Sequence, residues 1–133
     1  MNRRQDSLLW RKNDWSSRSP PGKPVRIVLD ECINPRVQRF LETEHQVFTV
    51  LGLGWGGLPD NVLVERLRGR CEVFLTIDQG FEHEHNLSWL GFGIVIVHVP
   101  RNRIAHYKAI QEAISQAVRS VKPGEVIHVG QGV

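Results

Sequence analysis

Four carboxylates stand where short apolar runs end. The run 25–29 closes on Asp30 and Glu31, and the run 72–77 closes on Asp78. Asp60 follows Leu58-Pro59, at the head of an apolar-periodic stretch. In a parallel sheet, acids at strand ends gather on the rim where such folds collect ligands. Grouped carboxylates repel one another, and a divalent cation relieves that repulsion. Oxygen-only ligands favour Mg²⁺ or Mn²⁺ over zinc. Such an ion activates a bound water and steadies the charge on a phosphodiester during displacement. Taken singly, each acid also has an ordinary explanation. Asp60 suits the dipole of a first helical turn, Asp78 suits a capped turn, and Asp30 and Glu31 suit a loop and an exposed rim. As a constellation on one edge they point to function.

The elements that must position these acids are legible in outline. Val25-Arg26-Ile27-Val28-Leu29 is a β-branched run and reads as the first strand. Asn34-Pro35 reads as a helix start, with Val37, Phe40 and Leu41 on its apolar face. Residues 47–51 read as a second strand, followed by Gly52-Leu53-Gly54-Trp55-Gly56-Gly57. A helix from Leu58-Pro59-Asp60 runs through Leu63, Val64 and Leu67 to Gly69. Residues 72–77 form strand three, 81–89 a short polar helix or turn, and 93–99 strand four. One long helix is expected over 103–121, with Ile104, Tyr107, Ile110, Ile114 and Val118 on one stripe. Lys122-Pro123-Gly124 ends it, and 125–129 is a last strand. Strands alternate with helices, and apolar runs such as 94–97 suit strands covered on both faces. The expected fold is a three-layer α/β/α domain on a mostly parallel sheet of about five strands.

Other residues invite chemistry less strongly. Glu82-His83-Glu84-His85 places two histidines two apart, on different sides of a helix, with no further ligand pair for zinc. Glu82 and His83 are better read as part of a loop near substrate. Arg36, Arg101 and Arg103 fall on the same rim and are candidates for holding phosphates, against the plain reading of surface charge. The glycine run lacks the spacing of a dinucleotide fingerprint and the lysine of a P-loop. Trp55 reads as core or loop packing, and Cys32 as a small loop residue with no histidine to activate it.

At 133 residues, 41% hydrophobic and 23% charged, the chain has the size and composition of one globular domain. Its apolar runs are far shorter than a membrane span requires. Two cysteines, Cys32 and Cys71, make no disulfide framework, and no export signal is legible, so a cytoplasmic protein is expected. Charge is uneven. Residues 1–23 hold six basic and two acidic side chains, whereas 24–133 hold 11 basic and 12 acidic. Residues 1–24 therefore read as a basic, Pro/Ser-rich extension, 25–129 as the domain, and 130–133 as a tail. The extension, with Trp10 and Trp15, reads as a solvated arm or as a contact for RNA or a partner.

Val-Arg-Ile-Val-Leu-Asp-Glu at 25–31 resembles the opening strand of PIN-like domains, in the branch of small uncharacterised toxin-like proteins. Leu75-Thr76-Ile77-Asp78-Gln79-Gly80-Phe81 is similar to that branch's second signature, a strand ending in Thr-x-Asp. The Gly54–Leu58 stretch with Asp60, then Asn86-Leu87 and Lys122-Pro123-Gly124-Glu125-Val126, resembles one subgroup. The resemblance implies a metal-dependent endoribonuclease using Mg²⁺ or Mn²⁺, often the toxin of a toxin–antitoxin pair. It implies an RNA substrate, a small antitoxin and frequent homodimers. It places metal-binding carboxylates at Asp30, Asp60 and Asp78, with Glu31 as a fourth. Many members carry another acid two positions after the Thr-x-Asp aspartate. This chain has Gly80 there, with Glu82 as the substitute nearest in sequence. Two other readings fit the same residues: a degenerate module that binds RNA or a protein, and a phosphoacceptor receiver. The receiver needs a lysine after its last strand, where Val129-Gly130-Gln131-Gly132 offers none.

Overall fold

The computed structural model describes residues 24–130; residues 1–23 of the expected arm, with Trp10 and Trp15, and residues 131–133 of the tail lie outside the described residues. Five strands form one sheet: β1 (Arg26–Leu29), β2 (Gln46–Thr49), β3 (Val73–Thr76), β4 (Gly93–Val97) and β5 (Val126–Val129). Their order is β2-β1-β3-β4-β5, and every pairing is parallel. Six helices are described: α1 (Val37–Leu41), α2 (Asp60–Leu67), α3 (Phe81–Glu84), α4 (Leu87–Leu90), α5 (Ile104–Ala109) and α6 (Gln111–Ser120).

Strand alternation divides the core in two. Ile27, Leu29, Val73, Leu75, Val95 and Val97 face one side, where they meet α1, α5 and α6 through Val37, Leu41, Tyr107, Ile114 and Val118. Val28, Phe74, Ile94 and Ile96 face the other, where Leu63, Val64, Leu67, Phe81 and Leu90 of α2, α3 and α4 cover them. Both faces are buried, which is why β1, β3 and β4 read as largely apolar runs. The three-layer α/β/α architecture follows. No helix of the described residues is long and apolar enough to cross a membrane.

Parallel pairing puts all five carboxyl ends on one rim. The winding reverses between β1 and β3, because β2 lies to one side of β1 while β3, β4 and β5 lie to the other. A doubly wound sheet opens a crevice at that reversal, just outside the strand ends. The β1–β3 ladder runs one step past Leu29, with Asp30 N–H donating to Leu75 O at 2.9 Å.

Two expectations need correction. The long helix is broken at Ile110, whose φ of −120° and ψ of 25° leave the helical range between α5 and α6. Ile104, Tyr107 and Ile110 are spaced by three, but Ile114 and Val118 continue by four. On a 3.6-residue helix the first spacing drifts one way around the axis and the second drifts the other. The break lets both halves face the same core, where Tyr107, Ile114 and Val118 are fully buried. The first helix also starts later than Asn34-Pro35. Asn34 Oδ1 accepts Arg36 N–H at 3.0 Å, closing a local turn, and the regular helix begins at Val37.

Buried polar contacts tie the layers together. His45 is 5% exposed; its Nδ1 accepts Val25 N–H at 3.2 Å, so its Nε2 carries the proton facing Ser115 Oγ at 3.4 Å. Burial holds its pKa below the ordinary 6.5, with the Arg119 charge adding to that and Glu44 and Glu72 opposing it. The unfolded chain therefore takes up the proton more readily. The stability His45 contributes is fully present above about pH 6.5 and is lost as pH falls through its lower folded value. The melting temperature is expected to drop between pH 7 and pH 5 by more in the wild type than in His45→Asn, as calorimetry at a series of pH values would show.

Candidate functional site

The crevice at the winding reversal is built around the side chain of Thr76. It is the last residue of β3 and has no exposed surface. Its Oγ1 donates to Asp30 Oδ2 at 2.7 Å and accepts Asp78 N–H at 3.0 Å. One hydroxyl thus fixes the first acid and the backbone of the second, from neighbouring strands. Asp30 Oδ1 accepts Glu31 N–H at 2.8 Å. Cys32 Sγ lies 3.4 Å from both Asp30 Oδ2 and Thr76 Oγ1. Since the single Thr76 proton goes to Asp30, the thiol is the donor in this trio. Burial pushes the Cys32 thiol above its ordinary pKa, which keeps it protonated and suits it to donating rather than attacking.

Asp78 is exposed, and its Oδ1 accepts Gly80 N–H at 3.0 Å. Glu31 turns to the glycine loop after β2, where its Oε1 accepts Gly57 N–H at 3.2 Å. Trp55 anchors that loop in the α2 side of the core, 8% exposed.

Asp60 belongs to a different grouping from the one its strand-edge position suggests. It opens α2, and its carboxylate shares a 4.8 Å neighbourhood with Glu84 and His85. Asp30, Glu31 and Asp78 are not part of that group. The two sets meet at Gly80: a Cβ there would lie 3.5 Å from Asp78 Oδ1 and 3.8 Å from Glu84 Oε2. The rim therefore carries Asp30 and Asp78, an inner pair joined through the Thr76 hydroxyl and the Asp78 backbone, and an outer trio, Asp60, Glu84 and His85.

Glu84 and His85 belong to the 82–85 cluster that the sequence reading sets aside as a metal site. Glu82 is the substitute nearest in sequence for an acid at position 80, yet its side chain is engaged elsewhere. Its Oε1 meets His128 Nε2 at 2.5 Å, and His128 Nδ1 meets His98 Nε2 at 2.8 Å. Glu82 is spent on a file of side chains that ties α3 to the edge strand β5. The missed signal was helical spacing. Phe81 is 2% exposed and anchors α3 in the core. Glu84 and His85 follow it by three and four and share its side; Glu82 does not. The His85 ring lies 4.4 Å from that of Phe81.

The donor chemistry suits a divalent cation. Carboxylates from Asp30, Asp78, Asp60 and Glu84 supply hard oxygens, and His85 supplies one imidazole. His85 Nε2 is buried with no hydrogen-bond partner among the described residues, an unsatisfied group that a ligand would satisfy.

Of the other candidates, His83 is exposed on α3, and Arg101 and Arg103 are exposed in the β4–α5 loop at the same rim. Arg36 precedes α1 and lines a groove with Arg39, Phe40, Ile104 and Lys108. Comparison with protein-family models, with curated proteins and with solved structures gives no match for this chain.

Thr76 is the residue on which the inner pair depends. Thr76→Val keeps its shape but removes both hydrogen bonds, and is expected to lower unfolding stability by about 1–3 kcal/mol. Thr76→Ser should recover most of that loss in a urea titration. A Thr76→Val melt that superimposes on the wild type would contradict the role given to the hydroxyl.

Proposed function

We propose that this chain is a divalent-cation-dependent phosphodiesterase that cleaves RNA internally. The observation that carries the reading is the Asp30 carboxylate, held by Thr76 at the winding reversal, with Asp78 on the same hydroxyl. Asp30 and Asp78 would hold the cation, with Asp60, Glu84 and His85 as the outer donors. Glu31 stands at the rim of the same crevice. When bound, Mg²⁺ or Mn²⁺ activates water and neutralises charge developing on the phosphodiester. The chain's own residues supply orientation. Protein donors fix both Asp30 oxygens, and Gly80 N–H fixes Asp78 Oδ1. A site fixed in this way reorganises little during reaction. Arg101 and Arg103 place positive charge at the same rim for the scissile region. The imidazole of His85 favours Mn²⁺ over Mg²⁺.

In this reading the protein is cytoplasmic, and its biological setting is the toxin half of a toxin–antitoxin pair. A small antitoxin would cover the acidic rim, and a homodimer is compatible with it. The specific observation favouring a non-catalytic RNA- or protein-binding module is the separation of Asp60 from Asp30 and Asp78, together with Gly80.

Purified wild type, Asp30→Asn and Asp78→Asn would be incubated with a labelled single-stranded RNA panel in Mn²⁺, Mg²⁺ or EDTA. Cleavage is expected in Mn²⁺, more slowly in Mg²⁺ and not in EDTA. Each variant should lose at least about a hundredfold in rate while melting like the wild type. Cleavage that persists in EDTA or in either variant would reject the assignment, and a folded wild type inert across the panel would favour the binding module.

A further inference from the structure

The groove between α1 and α5 lies on the face of the sheet opposite α2, α3 and α4. It has a volume of about 480 Å³ and is lined by Arg36, Arg39, Phe40, Ile104 and Lys108. The three cations are exposed, and their side chains make no ion pair or hydrogen bond with any described residue. Elsewhere the protein pairs several of its basic groups: Arg119 with Glu44, Arg68 with the Trp89 ring and carbonyl, and Arg66 over Trp55. Between the free cations lies an apolar floor. Phe40 and Ile104 are only partly buried there.

The walls are fixed to one another. Asn102 Nδ2 donates to Cys32 O at 2.8 Å, Asn34 Nδ2 donates to Asn102 O at 3.1 Å, and Tyr107 Oη donates to Asn102 Oδ1 at 2.5 Å. These bonds lock the loop before α1 to the loop before α5. The first of those loops also carries Asp30, and Cys32, which takes the Asn102 bond, has its Sγ 3.4 Å from Asp30 Oδ2, so the same bonds join the walls of the groove to the acidic crevice.

Unpaired cations around an aromatic and aliphatic floor match one kind of polyanion. Phosphates take the guanidinium and ammonium groups, and an unpaired base takes the aromatic face. A duplex keeps its bases stacked inside and offers nothing to Phe40. A free phosphate would leave the apolar floor unused. We infer that the α1–α5 groove binds a short single-stranded RNA segment, with phosphates on Arg36, Arg39 and Lys108 and a base against Phe40. This inference rests on the reading of the chain as an RNA phosphodiesterase and adds the path by which the strand reaches the crevice.

The test is fluorescence anisotropy of the full chain with a labelled ten-nucleotide single-stranded RNA in EDTA, across a salt series. Arg39→Glu/Lys108→Glu should weaken binding at least tenfold and flatten the salt dependence by roughly 1.4 in log–log slope, about 0.7 for each phosphate no longer neutralised. Phe40→Leu should weaken it several-fold without changing the slope. Arg70→Glu, an equal charge change per site away from the groove, should leave binding nearly intact, and thermal melts verify that each variant is folded.

The inference fails if the wild type does not bind the strand or if the double variant binds like the wild type. It fails too if Arg70→Glu weakens binding as much, or if polyglutamate or a duplex competes better than the single strand. Because EDTA removes any cation, the two readings separate. Binding as expected with no Mn²⁺-dependent cleavage rejects the phosphodiesterase and keeps the groove. Cleavage with unchanged kcat/KM after the double reversal rejects the groove and keeps the phosphodiesterase.

Discussion

One hydroxyl joins the two halves of the candidate site. Thr76 gives its proton to Asp30 on the neighbouring strand and its lone pair to the backbone of Asp78. It can do so only because β1 and β3 are adjacent and parallel, with Leu29 paired to Leu75. A shift of one residue in that register would turn Thr76 to the opposite face and part the two acids. The register is fixed by the apolar residues that alternate along both strands. Packing on two faces of the sheet therefore determines where a carboxylate stands at its edge, and the chemistry inherits its precision from the core.

The two sides of the sheet contribute differently to the rim. The side covered by α2, α3 and α4 brings acids: Asp60 opens α2, and Glu84 and His85 stand at the end of α3. The side covered by α1, α5 and α6 brings free cations, Arg36, Arg39 and Lys108. Asp30 lies between them, at the end of β1. This polarity comes from a domain that is nearly neutral over residues 24–133, so arrangement rather than net charge makes the difference.

The sheet was legible in the sequence because strands buried on both faces must be apolar throughout, as β1 and β4 largely are. Asp30 and Asp78 were legible for a related reason, since the first polar residue after such a run lies at its end. The grouping of Asp60 with Glu84 and His85 was not legible in the same way. Those partners come from α3, whose orientation depends on Phe81 entering the core, and strand-end reasoning does not see this. The acids Glu82 and Glu84 look interchangeable in sequence, yet their helical angles send one to His128 and the other to Gly80 and Asp60. The break at Ile110 was hidden because an apolar stripe reads the same whether its spacing is three or four. The cationic groove draws on two helices separated by more than sixty residues, and the Asn102 bonds hold them side by side.

The proposed function turns on a divalent cation held in the crevice around Asp30 and Asp78. The most direct measurement is a Mn²⁺ titration followed by paramagnetic broadening of backbone amide resonances in the isotope-labelled protein. Broadening at low Mn²⁺ should centre on Glu31, Asp78 and Gly80, spread to Glu84 and His85, and vanish in Asp30→Asn. Broadening that centres elsewhere, or that survives in Asp30→Asn, would contradict it.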